Sequence, residues 1–228
     1  MTLIAIVGRA GSGKDTVADI LVRNHGWAKI ALADPLKRAA QDFFGFTNEQ
    51  LWGPSAMRNA PDMRFPREHT STPAGHCDCC GADLYVHEDR PCYLTPRHAL
   101  QQLGTEFGRR CYPDVWVDYA LRVADRLLNG PEHECNYYSA MQGVIFAGSH
   151  SRPKGVCISD ARFPNEVAAV RAKGGRIWKT VHGAGLAGPA GAHESESYID
   201  SLAVDAAVPD SGLDALPGII ANMLQGKG

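Results

Sequence analysis

The amino-acid sequence predicts an α/β fold, a mostly parallel sheet covered by helices on both faces. Three observations carry the prediction. Strand-length apolar runs alternate with helix-length amphipathic segments along most of the 228 residues, an order that builds parallel strands joined by crossover helices. Leu3–Val7 is apolar without interruption and Gly155–Ser159 nearly so, as strands buried on both faces require. The segments Asp34-Pro35 to Gly45 and Pro164 to Gly174-Gly175 open with proline and close on glycine, the punctuation of helices.

Taken in order, Leu3–Val7 is the first strand, and Val17, Ile20, Leu21 and Asn24 share the inner face of the first helix. Ala28–Ala33 reads as a second strand, and Asp34 as the N-cap of a helix that runs to about Phe44. Pro54, Pro61, Pro66, Pro73 and Pro91 then break every period. This marks residues 54–95 as an irregular insertion within a single domain spanning 1–228. A stretch of that length without regular structure is usually functional. Regular structure returns at Pro96, with Leu100, Leu103 and Phe107 on one helical face. Pro113 and Asp114 open a helix that carries Val117, Ala120, Leu121, Ala124 and Leu128. Residues 129–154 are irregular apart from the apolar island Val144-Ile145-Phe146. A strand at Gly155–Ser159, a helix at Pro164–Lys173 and a strand at Arg176–Val181 follow. After the glycine-rich residues 183–191 come a strand at Leu202–Val208 and a helix at Leu213–Leu224. No internal repeat is present.

Between the first strand and first helix stands Gly8-Arg9-Ala10-Gly11-Ser12-Gly13-Lys14-Asp15-Thr16. Strand, glycine loop and helix together make a phosphate-binding loop of the GxxxxGK[ST] type. Glycines let successive backbone N–H groups turn toward a phosphate, and the helix terminus adds partial positive charge. Lys14 supplies a point charge to the outer phosphates. Asp15 stands where Ser or Thr normally holds magnesium, and Thr16 comes one residue late. Two readings of Asp15 remain, a first-turn acid that favours the helix dipole and a carboxylate near the metal.

The net charge of −2 offers no basic field for duplex nucleic acid or an anionic membrane. An apolar share of 44% suffices for a sizeable core. No run approaches the roughly 20 apolar residues of a membrane span, and the chain opens directly into a strand, so a soluble cytoplasmic protein is expected. Four of the seven cysteines, Cys77, Cys79, Cys80 and Cys92, crowd into one segment. Cys77-x-x-Cys80-Gly81 looks like half a zinc knuckle, which Cys92 with His87 or His76 could complete. Structural zinc, free thiols and a disulfide all remain open as readings of this segment.

A phosphate-binding loop serves motors, switches and kinases alike. Asp160 ends a buried strand, but Ala161 rather than a glutamate follows it, against a motor. No Asn-Lys-x-Asp base-reading loop is present, against a GTP switch. A kinase needs cations around a transferring phosphoryl group, and Lys14, Lys37, Arg97 and Arg162 lie near predicted element ends.

Six blocks then occur in order: Gly13-Lys14-Asp15-Thr16; Leu32-Ala33-Asp34-Pro35-Leu36-Lys37; Arg97 with Leu100-Gln101-Gln102-Leu103-Gly104-Thr105-Glu106; Asp114-x-Trp116-Val117; Asp160-x-Arg162-Phe163-Pro164-Asn165-Glu166; and His193-x-Ser195-Glu196. The series resembles the bacteriophage-type deoxynucleoside monophosphate kinases, over about residues 2–220 without most of 54–95 and 130–153. The resemblance implies a P-loop kinase three-layer sandwich that transfers the ATP γ-phosphoryl group to a deoxynucleoside 5′-monophosphate with Mg2+. It implies that Gly11, Ser12, Gly13, Lys14, Asp15 and Thr16 hold ATP and magnesium. Lys37 would face the acceptor, with Arg97, Thr105 and Trp116 in its pocket, and Asp160 and Arg162 would stand between the two phosphates. Basic segments that cover such sites find candidates in Arg64, Arg67 and Arg152. Trp116 reads equally as a core aromatic, Glu166 as a first-turn acid or an acceptor ligand, and His193 as a loop residue or a site residue. The cysteine segment departs from the family pattern, and its zinc would be structural. Expected partners are nucleotide substrates and, for assembly, a second copy of the chain, in the host cytoplasm if phage-encoded. Two alternatives stand beside this reading: a kinase acting on a modified base or nucleotide, free or within DNA, and a non-catalytic nucleotide-gated binding module.

Overall fold

The structure is a computed structural model that describes residues 2–9, 11–70, 75–79, 81, 83, 91–131, 138–139, 143–144, 152–181 and 198–226. Its contacts divide into two compact units, one of residues 1–32 with 114–228 and the other of residues 33–113.

In the first unit, β1 (Leu3–Val7), β2 (Ala28–Ile30), β7 (Val156–Ile158), β8 (Arg176–Thr180) and β9 (Ala206–Val208) form one sheet. The order is β2-β7-β1-β8-β9, and every neighbouring pair is parallel. Period-two alternation divides β1 between two cores. Leu3, Ala5 and Val7 face α6 (Val115–Asn129) and α7 (Pro164–Ala172) through Val117, Leu121, Leu127, Val167 and Val170. Ile4 and Ile6 face α1 (Lys14–His25) and α8 (Leu216–Leu224) through Val17, Leu21, Leu216 and Ile220. The three-layer, mostly parallel α/β arrangement read from the sequence is therefore present.

The edges of the elements differ in instructive ways. β2 stops at Ile30 because its ladder runs out: Ser159 N bonds Ile30 O at 3.0 Å, and Leu32 N turns to the Asp160 carboxylate at 2.7 Å. β9 begins only at Ala206, since Asp205 Oδ2 accepts the Ile177 N–H at 2.7 Å and closes the strand with its side chain. On α1 the inner face is Val17, Ala18 and Leu21, while Asn24 is exposed.

The second unit holds α2 (Asp34–Phe44), α3 (Asn48–Trp52), α4 (Ser55–Asn59), the antiparallel ladder of β3 (Pro66–Arg67) with β4 (Cys92–Tyr93), and α5 (Pro96–Gln101). Asp34 lies inside the first turn of α2 with Ala33 as cap, buried and accepting from Trp52 Nε1 at 3.3 Å. Thr47 and Gln50 form a reciprocal capping box at the start of α3, with bonds of 3.2 and 2.8 Å. Phe44 and Phe46 stack at 5.1 Å, and both meet Phe65 edge-on. Arg64 and Gln50 converge on Asp62, and the Arg64 hydrogen bonds hold its carboxyl well below the usual carboxylate range. α5 runs on as a π-helical stretch, Gln102–Arg109. Bonds closing five residues apart instead of four move the inward face, so Gly104 and Gly108 are buried while Phe107 is 71% exposed. In the first unit, two short strands, β5 (Tyr138–Ser139) and β6 (Gly143–Val144), also pair antiparallel.

Candidate functional site

Parallel strands bring the carboxyl ends of β1, β7 and β8 to one edge of the sheet, where α/β proteins bind ligands. The loop after β1 is built around close packing. Gly8 has φ 153, and a Cβ there would collide with Thr180 Oγ1 and lie 2.6 Å from Ser12 Oγ, so only glycine fits. Thr180 Oγ1 donates to Val7 O at 3.3 Å and lies 2.7 Å from Ser12 Oγ, from which it therefore accepts. Gly13, at φ 83, turns the chain into α1. Lys14 is only 7% exposed, and its Nζ donates to Gly8 O and Arg9 O, both at 2.6 Å. The loop's own carbonyls thus hold the ammonium within the loop, beside a helix N-terminus. Two sources of positive charge meet at one point, which suits a phosphate. Asp200 braces the loop from outside through Arg9 at 2.6 Å and Lys179 at 3.0 Å. Lys179 and then Arg9 hold the Asp200 carboxyl below its ordinary value.

Asp15 leaves this cluster: its side chain is 80% exposed and pairs with Lys29 at 2.8 Å. Lys29 also meets Asp19 at 3.1 Å. Burial works against the charged lysine, but Asp15 and Asp19 outweigh it and hold the ammonium above its usual value. Cys157, beneath them, is fully buried, and burial pushes its thiol up to about 12.

At the end of β7, Asp160 Oδ1 accepts from Leu32 N. Glu166, 1% exposed, spends Oε2 on the backbone N–H groups of Arg162 at 2.7 Å and Phe163 at 3.1 Å. It fixes the turn that presents Arg162. Asn165 Nδ2 donates to Asp114 Oδ1 at 2.7 Å and so joins the Asp160–Glu166 block to the Asp114–Val117 block. Trp116 is partly buried against the core of that face. Glu166→Ala is expected to cost about 1–3 kcal/mol in unfolding free energy, because two part-buried N–H groups lose their acceptor. Glu166→Gln keeps one amide oxygen and should lose less. Equal denaturation midpoints for wild type and both variants would count against this positioning role.

A cavity of about 320 Å3 opens beside the loop, between Gly11, Gly13 and Thr16 on one side and Val208 to Leu213 on the other. Val17, Val208 and Leu216 give it apolar walls, while Thr180, Asp210 and Ser211 add polar groups. The sequence reading missed Thr180 and residues 208–213. Their signal was position, since both lie at the carboxyl ends of parallel strands.

Of the remaining site candidates, Lys37, Arg64, Arg67, Arg97 and Thr105 belong to the second unit and Arg152 to the first. Lys37 Nζ lies 5.4 Å from the Trp52 ring. Arg97 Nε donates to Asn59 Oδ1, and Thr105 is partly buried in the π-helical stretch. Arg64 grips Asp62 and Gly45 O, and Arg67 pairs with Asp78 at 3.7 Å and Thr70 at 3.2 Å. Arg152 is exposed. Of the zinc candidates, Cys77 and Cys92 come together, but the histidine beside them is His69, which the sequence reading did not select. Cys80, His87, His193, Ser195 and Glu196 lie outside the described residues.

A family model for deoxynucleotide monophosphate kinase matches residues 2–62, a span that holds the first two of the six blocks. The chain is also similar to a protein of Acanthamoeba polyphaga mimivirus named "Putative deoxynucleotide monophosphate kinase". The two are 27% identical over 188 residues, covering 78% of this chain and 73% of the viral protein. Both comparisons support the family that the ordered blocks resemble, the deoxynucleotide monophosphate kinases.

Proposed function

We propose that this protein transfers the γ-phosphoryl group of ATP to the 5′-phosphate of a deoxynucleoside monophosphate. The observation that carries the reading is Lys14, a buried ammonium held inside a glycine loop at a helix N-terminus. In the reaction, an oxygen of the acceptor phosphate forms a bond to the γ-phosphorus as the bond to the β–γ bridging oxygen breaks. The products are ADP and a deoxynucleoside diphosphate. The acceptor oxygen is already anionic, so positioning and charge stabilisation dominate and no strong base is needed. Lys14 and the loop N–H groups hold the donor phosphates. The cavity walls of Val17, Val208 and Leu216 suit the faces of a base, with Asp210 able to accept from an amino group. Arg162 neutralises charge on the group in transit, and Arg97 and Lys37 take the acceptor side. Thr16 and Asp160 offer hard oxygen donors of the kind Mg2+ prefers, whereas the Asp15 carboxylate is spent on Lys29. Bound with ATP, Mg2+ would neutralise part of the phosphate charge.

The test incubates the protein with ATP, Mg2+ and each of the four common dNMPs, with ADP release as the readout. ADP release dependent on at least one dNMP is expected. ADP release unaffected by any acceptor, or none at all, would overturn the reading.

A further inference from the structure

Among the described residues, the β3–β4 ladder and the cysteine turn beside it have a small apolar interior. The described cluster there consists of Cys77, Cys79 and Cys92, with Leu94 packed partly against them. The described core contributes little hydrophobic burial, and small modules of this kind are commonly closed by disulfides or a metal. Cys77 Sγ and Cys92 Sγ stand 3.6 Å apart, well beyond the roughly 2.05 Å of a disulfide. The distance fits two thiolates on one tetrahedral zinc, which with bonds of about 2.3 Å lie roughly 3.8 Å apart. A ring nitrogen of His69 joins them, and the three donor atoms all lie within 4.8 Å of one another.

These donors come from three separate points of the chain. His69 lies just beyond β3, Cys92 is in β4 opposite Arg67, and Cys77 begins the turn. His76 and Asp83 form an antiparallel bridge around that turn. Gly81 N bonds Cys77 O at 2.9 Å, with Gly81 in the left-handed conformation at φ 68, which glycine adopts without strain. Cys79 has a different partner: its thiol donates to Tyr93 O at 3.3 Å.

We propose that His69, Cys77 and Cys92 bind a zinc ion that fastens the cysteine turn to the β3–β4 ladder. Two thiolates and an imidazole suit zinc and disfavour magnesium and calcium, which prefer oxygen. On binding, the two thiols release their protons to solvent and His69 coordinates as a neutral ring, with no change of oxidation state. The turn also steadies a helix: Thr95 Oγ1 donates to Cys79 O and accepts from His98 N, both at 3.2 Å, capping α5 just ahead of Arg97. The metal therefore fixes the base of the element that carries Arg97.

Elemental analysis of the whole protein, purified without chelator, tests the site. About one zinc per chain is expected. Cys77→Ser, Cys92→Ser and His69→Ala should each lose most of it, and Cys79→Ser should keep it. Cobalt in place of zinc should give wild-type protein a thiolate-to-metal charge-transfer band in the near ultraviolet, a readout that needs no variant to fold. Thiol reagents should reach Cys77 and Cys92 only after a chelator is added. Protein that takes up neither zinc nor cobalt overturns the proposal. So does zinc retained by Cys77→Ser and Cys92→Ser alike, or thiols that a reductant but not a chelator releases, the mark of a disulfide. None of these readouts involves phosphoryl transfer, so failure here leaves the proposed reaction untouched.

Discussion

Lys14→Ala is expected to lower the turnover of phosphoryl transfer by about a hundredfold or more, the usual loss when a charge-stabilising group at the reacting phosphate is removed. The same variant should unfold slightly more easily. The carbonyls of Gly8 and Arg9 each lose a donor at 2.6 Å. Steady-state kinetics paired with thermal unfolding separates the two effects. A folded variant with near-normal turnover would remove this loop from the mechanism.

The second large effect divides donor from acceptor. Arg162 follows Asp160 at the end of β7 and is held in place by Glu166 through its own backbone N–H. A guanidinium there gains most as charge shifts onto the transferring group, so Arg162→Ala should depress kcat by roughly a hundredfold with little change in either KM. Arg162→Lys retains the charge but not the planar fork and should recover only part of the loss. Arg97 is proposed to grip the acceptor's phosphate in both ground and transition states. Arg97→Ala should raise KM for the monophosphate about tenfold or more and leave that for ATP nearly unchanged. Varying each substrate in turn provides the check. If Arg97→Ala weakens ATP and spares the acceptor, the two roles are reversed.

The elements that were legible in the sequence are those whose burial pattern is complete in a local window. β1 reads directly because five consecutive residues are buried on both faces, and α2 because Pro35 starts it and Gly45 stops it at φ 60. Elements governed by distant partners were not legible. α4 spans five residues with none buried, and so has no apolar face to announce it. A helical period puts Phe107 on one face with Leu100 and Leu103, but the π-helical stretch does not keep that period. The phosphate loop was plain because its residues are contiguous, whereas Thr180 reaches it from 168 positions away. His69 escaped notice for a related reason: it precedes Cys77 at no standard ligand spacing, and only the β3–β4 ladder draws it to Cys92.

The strand order β2-β7-β1-β8-β9 also sets when the chain can fold. β1 carries the phosphate loop, yet its two neighbours are residues 156–158 and 176–180. During synthesis the strand Leu-Ile-Ala-Ile-Val therefore waits until residues 156–158 for a partner at one edge and until residues 176–180 for a partner at the other. Loop closure across such separations is slow, and an unpaired apolar strand is open to association with other chains meanwhile. Residues 33–113, by contrast, are contiguous and have every internal partner available early. On a ribosome this unit can take shape first. The glycine loop after β1 takes its closed form only after β8 arrives with Thr180 to meet Ser12.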